Sequence, residues 1–267
     1  MTLISDPDAL IPPRDGGPPC DYCQNRRFVL DAYGNLKPCP KCNMVQQWRM
    51  ETLRAFSSRS ARSAQQTFDN FQTLFDDEVE PTLALALHEA RAFASNCIRA
   101  HAQGTTNVQR RWLVLFGERG TGKSHLCAAV DNALQAAGVP CLFITAPEMF
   151  NSLYQALRER EAGESDHFEP RKTIYKTATV LILDDLSAEA TTEWNASVLL
   201  EILDYRYRNL LWTMIATNTP PQAFEPRIAS RLQDTSLCSV VEVAAHDYRL
   251  RTPSAKKGSN KPRGTRA

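Results

Sequence analysis

The chain has 267 residues, with 31 lysine and arginine side chains against 30 aspartate and glutamate side chains, so its formal net charge is +1. Hydrophobic residues make up 43% of the sequence and charged residues 23%. These fractions exclude a wholly disordered or collagen-like chain and predict one or two globular domains. The near-neutral net charge argues against a uniformly basic protein that coats nucleic acid, although it can hide local differences in charge along the chain.

Residues 1–19 are rich in proline, glycine and aspartate and are expected to form a flexible leader. They contain neither the basic stretch nor the apolar run of a secretory signal. No apolar run in the sequence approaches the roughly 18 residues of a membrane span. We therefore expect a cytoplasmic protein with no membrane partner, in which thiols stay reduced.

Four of the eight cysteines are crowded into two C-x₂-C pairs that are separated by fifteen residues. They are Cys20, Cys23, Cys39 and Cys42. This spacing is typical of four thiolates around one structural Zn²⁺. The sequence between the pairs predicts a strand over Arg27–Leu30 and a turn over Asp31–Asn35, so residues 20–45 are predicted to form a zinc ribbon. A redox dithiol pair is the alternative, but it lacks a thioredoxin-like context.

Residues 46–66 carry no strand signal and are predicted to form a helical linker. A helix is also predicted near Leu83–Ala100, where apolar residues recur at three- and four-residue spacing. The other four cysteines lie among apolar neighbours and are expected to be small buried side chains.

From residue 112 onward, short apolar runs alternate with amphipathic stretches. The runs are Trp112–Phe116, Val139–Thr145, Val180–Leu183, Trp212–Thr217 and Cys238–Val243. Runs that are apolar throughout are typical of a parallel sheet covered on both faces. Helices are predicted between them, among others at Ser124–Ala137 and Trp194–Arg208. The fold class is therefore α/β, a parallel sheet flanked by helices.

Residues 117–124 match the phosphate-binding pattern G-x-x-x-x-G-K-[ST] without a gap, between a predicted strand and a predicted helix. Glycines let the backbone turn its N–H groups toward phosphate oxygens. Lys123 should reach the β- and γ-phosphates of ATP, and the Ser124 hydroxyl should bind Mg²⁺. The predicted ATP and Mg²⁺ residues are Gly117, Glu118, Arg119, Gly120, Thr121, Gly122, Lys123, Ser124, His125 and Asp184.

The apolar run Val180–Leu183 leads directly into Asp184 and Asp185. Asp184 is predicted to hold Mg²⁺, as a Walker-B aspartate does, and Asp185 to polarise the attacking water. The alternative is that the two carboxylates only cap the following helix.

Taken together, these motifs resemble the AAA+ ATPases, specifically the DnaC/DnaI/IstB group of helicase loaders and transposition helpers. The segments that resemble this group are Thr67–Phe71 ahead of the P-loop, Leu183–Glu189 as the Walker-B segment, Ala216–Asn218 as the sensor-1 position and Arg227–Leu232 as the arginine-finger helix. The resemblance covers about residues 67–250 and implies an AAA+ domain over residues 67–248.

The resemblance also implies roles for individual residues. Asn218 would hydrogen-bond the attacking water or the γ-phosphate, and Arg231 would reach the nucleotide of a neighbouring subunit. Arg227 is the less favoured finger. AAA+ proteins usually have glutamate where Asp185 stands, so the resemblance implies retained but slow hydrolysis. A nucleotide-gated adaptor that barely hydrolyses ATP stays open as an alternative.

In this group, an extra helix between the P-loop and the Walker-B strand lines a channel for single-stranded DNA. Here Pro147–Glu161 is the matching segment. Aromatic and basic side chains favour single strands, and the candidates are Phe150, Tyr154, Arg158 and Arg160. The alternative is an ordinary amphipathic helix with Met149, Leu153 and Leu157 on its core face.

The last 19 residues carry seven lysine and arginine side chains and no acid. Such a segment cannot bury enough apolar surface to fold alone, so residues 249–267 are predicted to be a disordered basic tail. The tail either contacts nucleic acid or only aids solubility.

The predicted ribbon resembles the zinc-bearing N-terminal domain of DnaI-type loaders, which binds the replicative helicase. The resemblance therefore implies an ATP-dependent loader that self-associates through its AAA+ interface and delivers a DnaB-type helicase onto single-stranded DNA during replication. An IstB- or TnsC-like transposition helper is the alternative. A P-loop small-molecule kinase is a third, but Asn218 and the Arg227–Arg231 helix have no obvious role in one.

Overall fold

A computed structural model of the chain describes residues 28–30, 36–38, 52–75, 78–103, 110–163, 167–187 and 192–248. In this part, β1 (Phe28–Leu30) pairs antiparallel with β2 (Leu36–Pro38). β1 coincides with the strand predicted between the two cysteine pairs. Cys20, Cys23, Cys39 and Cys42 lie outside the described residues, as do the leader 1–19 and the tail 249–267, so the zinc ribbon stays a prediction.

A five-stranded parallel sheet organises the rest of the described chain. Its strands are β5 (Trp112–Phe116), β6 (Cys141–Thr145), β7 (Val180–Leu186), β8 (Trp212–Thr217) and β9 (Cys238–Glu242). They lie in the order β6-β7-β8-β5-β9, and every neighbouring pair is parallel. The predicted α/β class and parallel sheet are confirmed.

Helices cover both faces of this sheet. They are α1 (Pro81–Gln103), α2 (Lys123–Ala136), α3 (Ala146–Glu161), α4 (Phe168–Thr177), α5 (Glu193–Arg208) and α6 (Pro226–Leu232). Alternate residues of β5 point to opposite faces, as the pleat requires: Leu113 and Leu115 pack with α1 and α2, whereas Trp112 and Val114 pack with α3 to α6. Among the described helices, none has the length and apolar character of a membrane span.

Several predicted elements differ from the structure in extent. α1 is longer than predicted at both ends, and β7 continues through both aspartates to Leu186. The sequence analysis did not predict β2, α4 or the short hairpin of β3 (Leu74–Phe75) and β4 (Glu78–Val79). α4 buries only a few of its ten residues, so its sequence carries little periodicity. The buried state predicted for Cys97, Cys127, Cys141 and Cys238 is confirmed.

The segment predicted as a helical linker over residues 46–66 takes a different course where it is described. It is helical at residues 52–55 and forms a 3-10 turn at Ser63–Gln65. Between these, the Ser58 N–H donates to the Phe143 carbonyl at 2.8 Å, and the Thr145 N–H donates to Ser58 Oγ at 3.1 Å. Residues without helical structure thus satisfy backbone groups of β6, the edge strand.

Arg206 is completely buried and links α4 to β8. Its guanidinium donates to the carbonyls of Tyr175 at 3.1 Å, Ala178 at 2.9 Å and Trp212 at 2.6 Å. Its Nε donates to Thr213 Oγ1 at 3.0 Å. Burial lowers the pKa of Arg206 to about 9, so the side chain stays protonated at neutral pH. The planar guanidinium spans carbonyls of both elements at once.

We expect Arg206→Lys to lower the free energy of unfolding by roughly 2–4 kcal/mol, because an ammonium group cannot span these carbonyls and leaves buried acceptors unpaired. Urea denaturation at neutral pH measures the change. Arg208→Lys, at an exposed position of the same helix, is the matched control and should stay within about 0.5 kcal/mol of the wild type. Equal stability of the two variants would contradict the linking role.

Candidate nucleotide-binding site

Polar side chains collect at the edge of the sheet where the parallel strands end. β8 lies between β5 and β7. Asn218, directly after β8, therefore stands between the glycine-rich loop that follows β5 and the two aspartates of β7. A cavity of about 830 Å³ opens here and is lined by residues 119–125, Asp184, Asp185 and Asn218, among others. Its volume lies within the range of small-molecule sites.

The glycine-rich loop has a backbone that side chains other than glycine would disturb. Gly122 has φ +98° and is the N-cap of α2. A Cβ at Gly117 would lie 2.3 Å from the Val243 carbonyl oxygen, which belongs to the chain after β9. A loop of this kind that runs into a helix presents backbone N–H groups and the positive helix end to an anion. The residues present therefore suit a polyphosphate.

The side chain of Lys123 folds back onto the glycine-rich loop. It is 6% exposed, and its Nζ donates to the Gly117 carbonyl at 2.8 Å and contacts Thr121 Oγ1 at 3.3 Å. Its ammonium group is thus already inside the cavity, paired with weak acceptors that phosphate oxygens can replace.

Ser124 and Asp184 meet across the cavity. Ser124 Oγ donates to Asp184 Oδ1 at 3.1 Å, and the Asp185 N–H donates to the same oxygen at 2.9 Å. Burial raises the pKa of the Asp184 carboxyl, and the hydrogen bond from Ser124 opposes that rise. Hydroxyl and carboxylate oxygens are the protein ligands that Mg²⁺ takes beside phosphates, so this pair suits that ion.

Asp185 faces the cavity because β7 is irregular at this point. The pairing of β7 with β8 shifts register between Leu183 and Leu186, as at a β-bulge. Asp185 has φ +53°, which is uncommon for a residue other than glycine and occurs often at functional sites. Asn218 Nδ2 donates to Asp185 Oδ1 at 3.3 Å. The predicted sensor residue and the predicted water-polarising acid are therefore neighbours.

The aspartates do not cap the next helix, the alternative that the sequence left open. α5 begins at Glu193, and the side chain of Thr192 accepts the N–H of Asn195 as its cap. The carboxylates of Asp184 and Asp185 face the cavity instead.

His125 joins the start of α2 to the motif that precedes the P-loop. Its Nε2 lies 2.9 Å from the Thr67 carbonyl and 3.0 Å from Asn70 Oδ1, and the Phe71 ring packs edge-on at 5.2 Å. Burial lowers the pKa of His125, so the ring is neutral at pH 7 and donates from Nε2. His125 therefore binds Thr67 and Asn70 of the preceding segment, and it also lines the cavity.

The other predicted residues occupy different surroundings. Arg119 is exposed and lines the cavity, whereas Glu118 contributes its carbonyl to Thr121 Oγ1 at 3.0 Å. Arg231 is not among the cavity residues. Its guanidinium pairs with Asp204 Oδ1 at 3.1 Å and lies 4.8 Å from the centre of the Tyr207 ring.

The DNA candidates on α3 divide into buried and exposed side chains. Phe150 is 8% exposed and belongs to the core, so it cannot stack on a base. Tyr154 is 42% exposed and lies against Trp194, with ring centres 4.5 Å apart. Arg158, one turn later, shares the exposed side with Tyr154. Arg160 is also exposed, but about 200° around the helix from Arg158.

Part of the cavity wall comes from residues that sequence reasoning missed. Ser58, Ser60 and Arg62 approach from the segment before the domain, and His246 and Tyr248 from the chain after β9. Residues 57–63 read Ser-Ser-Arg-Ser-Ala-Arg-Ser, a composition without a periodic or motif signal. Tyr248 and His246 lie far from the P-loop in sequence, so only the fold brings them to it.

The family model for the IstB-like ATP binding protein matches residues 104–256 of this chain. A curated relative, the replicative helicase loader DnaI of Bacillus subtilis, is 30% identical over 110 residues, 41% of this chain and 33% of that protein. A putative insertion sequence ATP-binding protein of Sinorhizobium fredii is 34% identical over 112 residues, 40% of this chain and 34% of that protein. The matches thus span about a third of each relative.

The crystal structure of DnaI superposes with a TM-score of 0.52 at 23% identity, over 70% of this chain and 95% of that one. At this identity the likeness shows the fold, which is that of AAA+ domains. The P-loop and the contact between Ser124 and Asp184 suit an ATP-binding protein. The family model, which matches more than half of the sequence, indicates the same. The chain therefore belongs to the IstB-like ATP-binding family.

Proposed function

We propose that the chain is a cytoplasmic, ATP-dependent helicase loader, which binds single-stranded DNA and delivers a DnaB-type replicative helicase during DNA replication. The observation that carries this proposal is the pair of C-x₂-C motifs, which precede a P-loop domain similar to that of a helicase loader. The cysteines would hold a structural Zn²⁺ in a ribbon over residues 20–45, and this module would bind the helicase.

The proposed ATP site uses the side chains that meet at the edge of the sheet. Lys123 would hold the β- and γ-phosphates, and Ser124 and Asp184 would hold Mg²⁺, which neutralises phosphate charge when bound. Asp185 would polarise the attacking water, and Asn218 would orient it or the γ-phosphate. The hydrogen bond between Asn218 and Asp185 supports a joint role, because it fixes both polar groups beside one position in the cavity.

We assign Arg231 to the nucleotide of a neighbouring subunit. An arginine supplied in trans stabilises charge that develops in the transition state. In this chain Arg231 pairs with Asp204 and packs on Tyr207, so self-association would exchange one carboxylate partner for phosphate oxygens. Arg227, exposed on the same helix, remains the less favoured finger.

We expect Asp185→Asn to retain ATP binding and to lower turnover by roughly 100-fold or more, because an amide cannot take a proton from water. Phosphate release and equilibrium ATP binding are measured on the same preparation. Lys123→Ala should instead lose ATP binding. Glu161→Gln, at the exposed end of α3, is the control and should turn over as the wild type does. Undiminished turnover in Asp185→Asn would remove this residue from the role.

Single-stranded DNA would bind along the exposed side of α3. Tyr154 offers a ring for base stacking, and Arg158 offers a cation one turn away. The contact of Tyr154 with Trp194 holds the ring in place, which lowers the entropy lost on stacking. Arg160 would contact the backbone from another side of the helix.

We expect Tyr154→Ala to weaken binding of a thymidine oligonucleotide by about tenfold at any salt concentration, because a stacking platform is lost. Arg158→Ala should also weaken binding and should lower the slope of log affinity against log salt by about one. Fluorescence anisotropy at several salt concentrations measures both. Arg99→Ala, exposed on α1, is the matched control. An unchanged affinity and salt slope after Arg158→Ala together with Arg160→Ala would contradict the DNA site.

We expect the full chain to bind about one zinc ion and to capture a DnaB-type helicase. The double variant Cys20→Ser, Cys23→Ser should lose the zinc ion and the helicase but still bind ATP. Metal analysis and co-purification from one preparation give the readouts. Cys97→Ala, which alters a buried cysteine of the ATPase domain, should keep the zinc. A wild-type chain that captures no helicase would contradict the loader function.

A transposition helper is the second candidate, because the matching family model and the relative from Sinorhizobium fredii both carry insertion-sequence names. The ATP-binding domain would act in the same way, and the partner protein would be a transposase instead of a helicase. Capture of a transposase instead of a helicase in the same experiment would select this function.

A further inference from the structure

Residues 57–66, which we call the serine-rich segment, supply part of the wall of the nucleotide cavity. The segment is fastened at its start to β6, where Ser57 Oγ donates to the Phe143 carbonyl at 2.8 Å. It is fastened near its end to α2, where Asn132 Nδ2 donates to the Ser63 carbonyl at 2.9 Å. The middle of the segment is thus held between the sheet and the helix that follows the P-loop.

Arg62 lies in this middle part and is the N-cap of the 3-10 turn Ser63–Gln65. Ser60 and Ser63, on its two sides, bind each other's backbone. The Ser60 N–H donates to Ser63 Oγ at 2.9 Å, and the Ser63 N–H donates to Ser60 Oγ at 3.1 Å. All three residues line the cavity. These hydrogen bonds restrict the backbone around Arg62, so its side chain starts from a fixed place in the cavity wall.

The charge of Arg62 has no carboxylate partner within the part of the chain that the structure describes. Arg62 is exposed, and it belongs to none of the ion pairs between described residues. Arg59, the other arginine of the serine-rich segment, pairs instead with Asp131 at 2.9 Å. One arginine of the segment therefore fastens it to α2, and the other presents its charge at the cavity.

The positive charge of Arg62 acts on the residue that directly follows the P-loop. Burial lowers the pKa of His125, a hydrogen bond with the Thr67 carbonyl raises it, and the charge of Arg62 lowers it further. His125 comes directly after Ser124 in α2, and both residues line the cavity. The charge of Arg62 is therefore felt at the end of α2 that faces a bound phosphate.

A guanidinium group at this place suits a polyphosphate. Lys123 and Arg119 are the other lysine and arginine side chains in the described wall of the cavity, and Lys123 reaches phosphate as a single ammonium group. A planar guanidinium can bind two oxygens of a phosphate at once, which an ammonium group does less well. Arg62 would therefore add a second kind of contact from a different segment of the chain.

We propose that Arg62 binds the phosphates of the nucleotide, so that a bound nucleotide joins the serine-rich segment to the P-loop. The proposal rests on the ATP site assigned above. Arg62 lies outside the phosphate-binding pattern and outside the region that the family model matches, which begins at residue 104. It is supplied by the chain that holds the nucleotide, whereas Arg231 is assigned to the nucleotide of a neighbouring subunit.

The first test compares the full-length wild type with Arg62→Gln, which removes the charge and keeps a polar side chain. We expect ATP to bind about tenfold more weakly to the variant, because a charge-assisted hydrogen bond to phosphate is lost. Arg62→Lys should lie between the two, because it keeps the charge without the planar fork. The difference between wild type and Arg62→Gln should shrink as salt rises from about 50 to 500 mM, because counterions screen the attraction. Isothermal titration calorimetry measures the affinities.

Hydrogen exchange tests the connection between the nucleotide and the serine-rich segment. Saturating ATP should slow amide exchange in residues 57–66 of the wild type, and it should slow exchange there less in Arg62→Gln. Exchange at the start of α2 should slow in both proteins, which shows that the P-loop is occupied in each. Equal protection of residues 57–66 in the two proteins would contradict the joining role.

Arg99→Gln is the matched control. It carries the same change in net charge at an exposed position near the end of α1, and it should bind ATP as the wild type does. Thermal melting without nucleotide identifies a variant that fails to fold; if Arg62→Gln does so, the affinity of Arg62→Lys and its salt dependence decide.

Folded Arg62→Gln that binds ATP as tightly as the wild type would overturn the proposal. The same variant with unchanged ATP binding and weaker binding of single-stranded DNA would also overturn it, because Arg62 would then serve the nucleic acid. A wild type that binds no ATP would instead contradict the assigned ATP site.

Discussion

Both faces of the five-stranded sheet are covered, and this burial decides where the chemistry of the protein can lie. A strand that is buried on both faces has no place for an unpaired polar side chain except near its end. Val180–Leu183 are all buried, and the first acid of β7 follows at once. Phe116 is likewise followed directly by the glycine-rich loop. Because the strands are parallel, these ends share one edge, and the polar residues meet there.

The order of the strands determines which polar residues lie side by side at that edge. β8 separates the strand of the P-loop from the strand of the aspartates, yet Ser124 and Asp184 are in contact. The contact forms because α2 packs over β7 and β8 after it leaves the loop. Asn218, at the end of the intervening strand, is then within reach of Asp185. The proposed site for phosphate, metal ion and water therefore follows from one strand order and one helix path.

Local signals predicted the parts of this site that are themselves local. The apolar runs located β5 and β8 to the residue, and the phosphate-binding pattern placed the start of α2. Strand order, the bulge at Asp185 and the path of residues 57–66 were not predictable, because contacts distant in sequence decide them. Phe150 and Tyr154 of α3 show that the sequence alone does not predict which side chains of one helix are buried. They lie one turn apart, and only the packing of neighbouring elements makes the first a core residue and the second a surface residue.

The segment before the domain also supports the helix that begins at the phosphate loop. Asp131 on α2 is 2% exposed, and burial raises the pKa of its carboxyl, while a hydrogen bond from Gln135 and the charge of Arg59 lower it. Arg59 pairs with Asp131 at 2.9 Å and donates to Asn132 at 2.7 Å. A buried carboxylate that loses its cation is strongly destabilising. Residues 52–66 therefore cannot move away from the domain without destabilising α2, the helix that begins at Lys123.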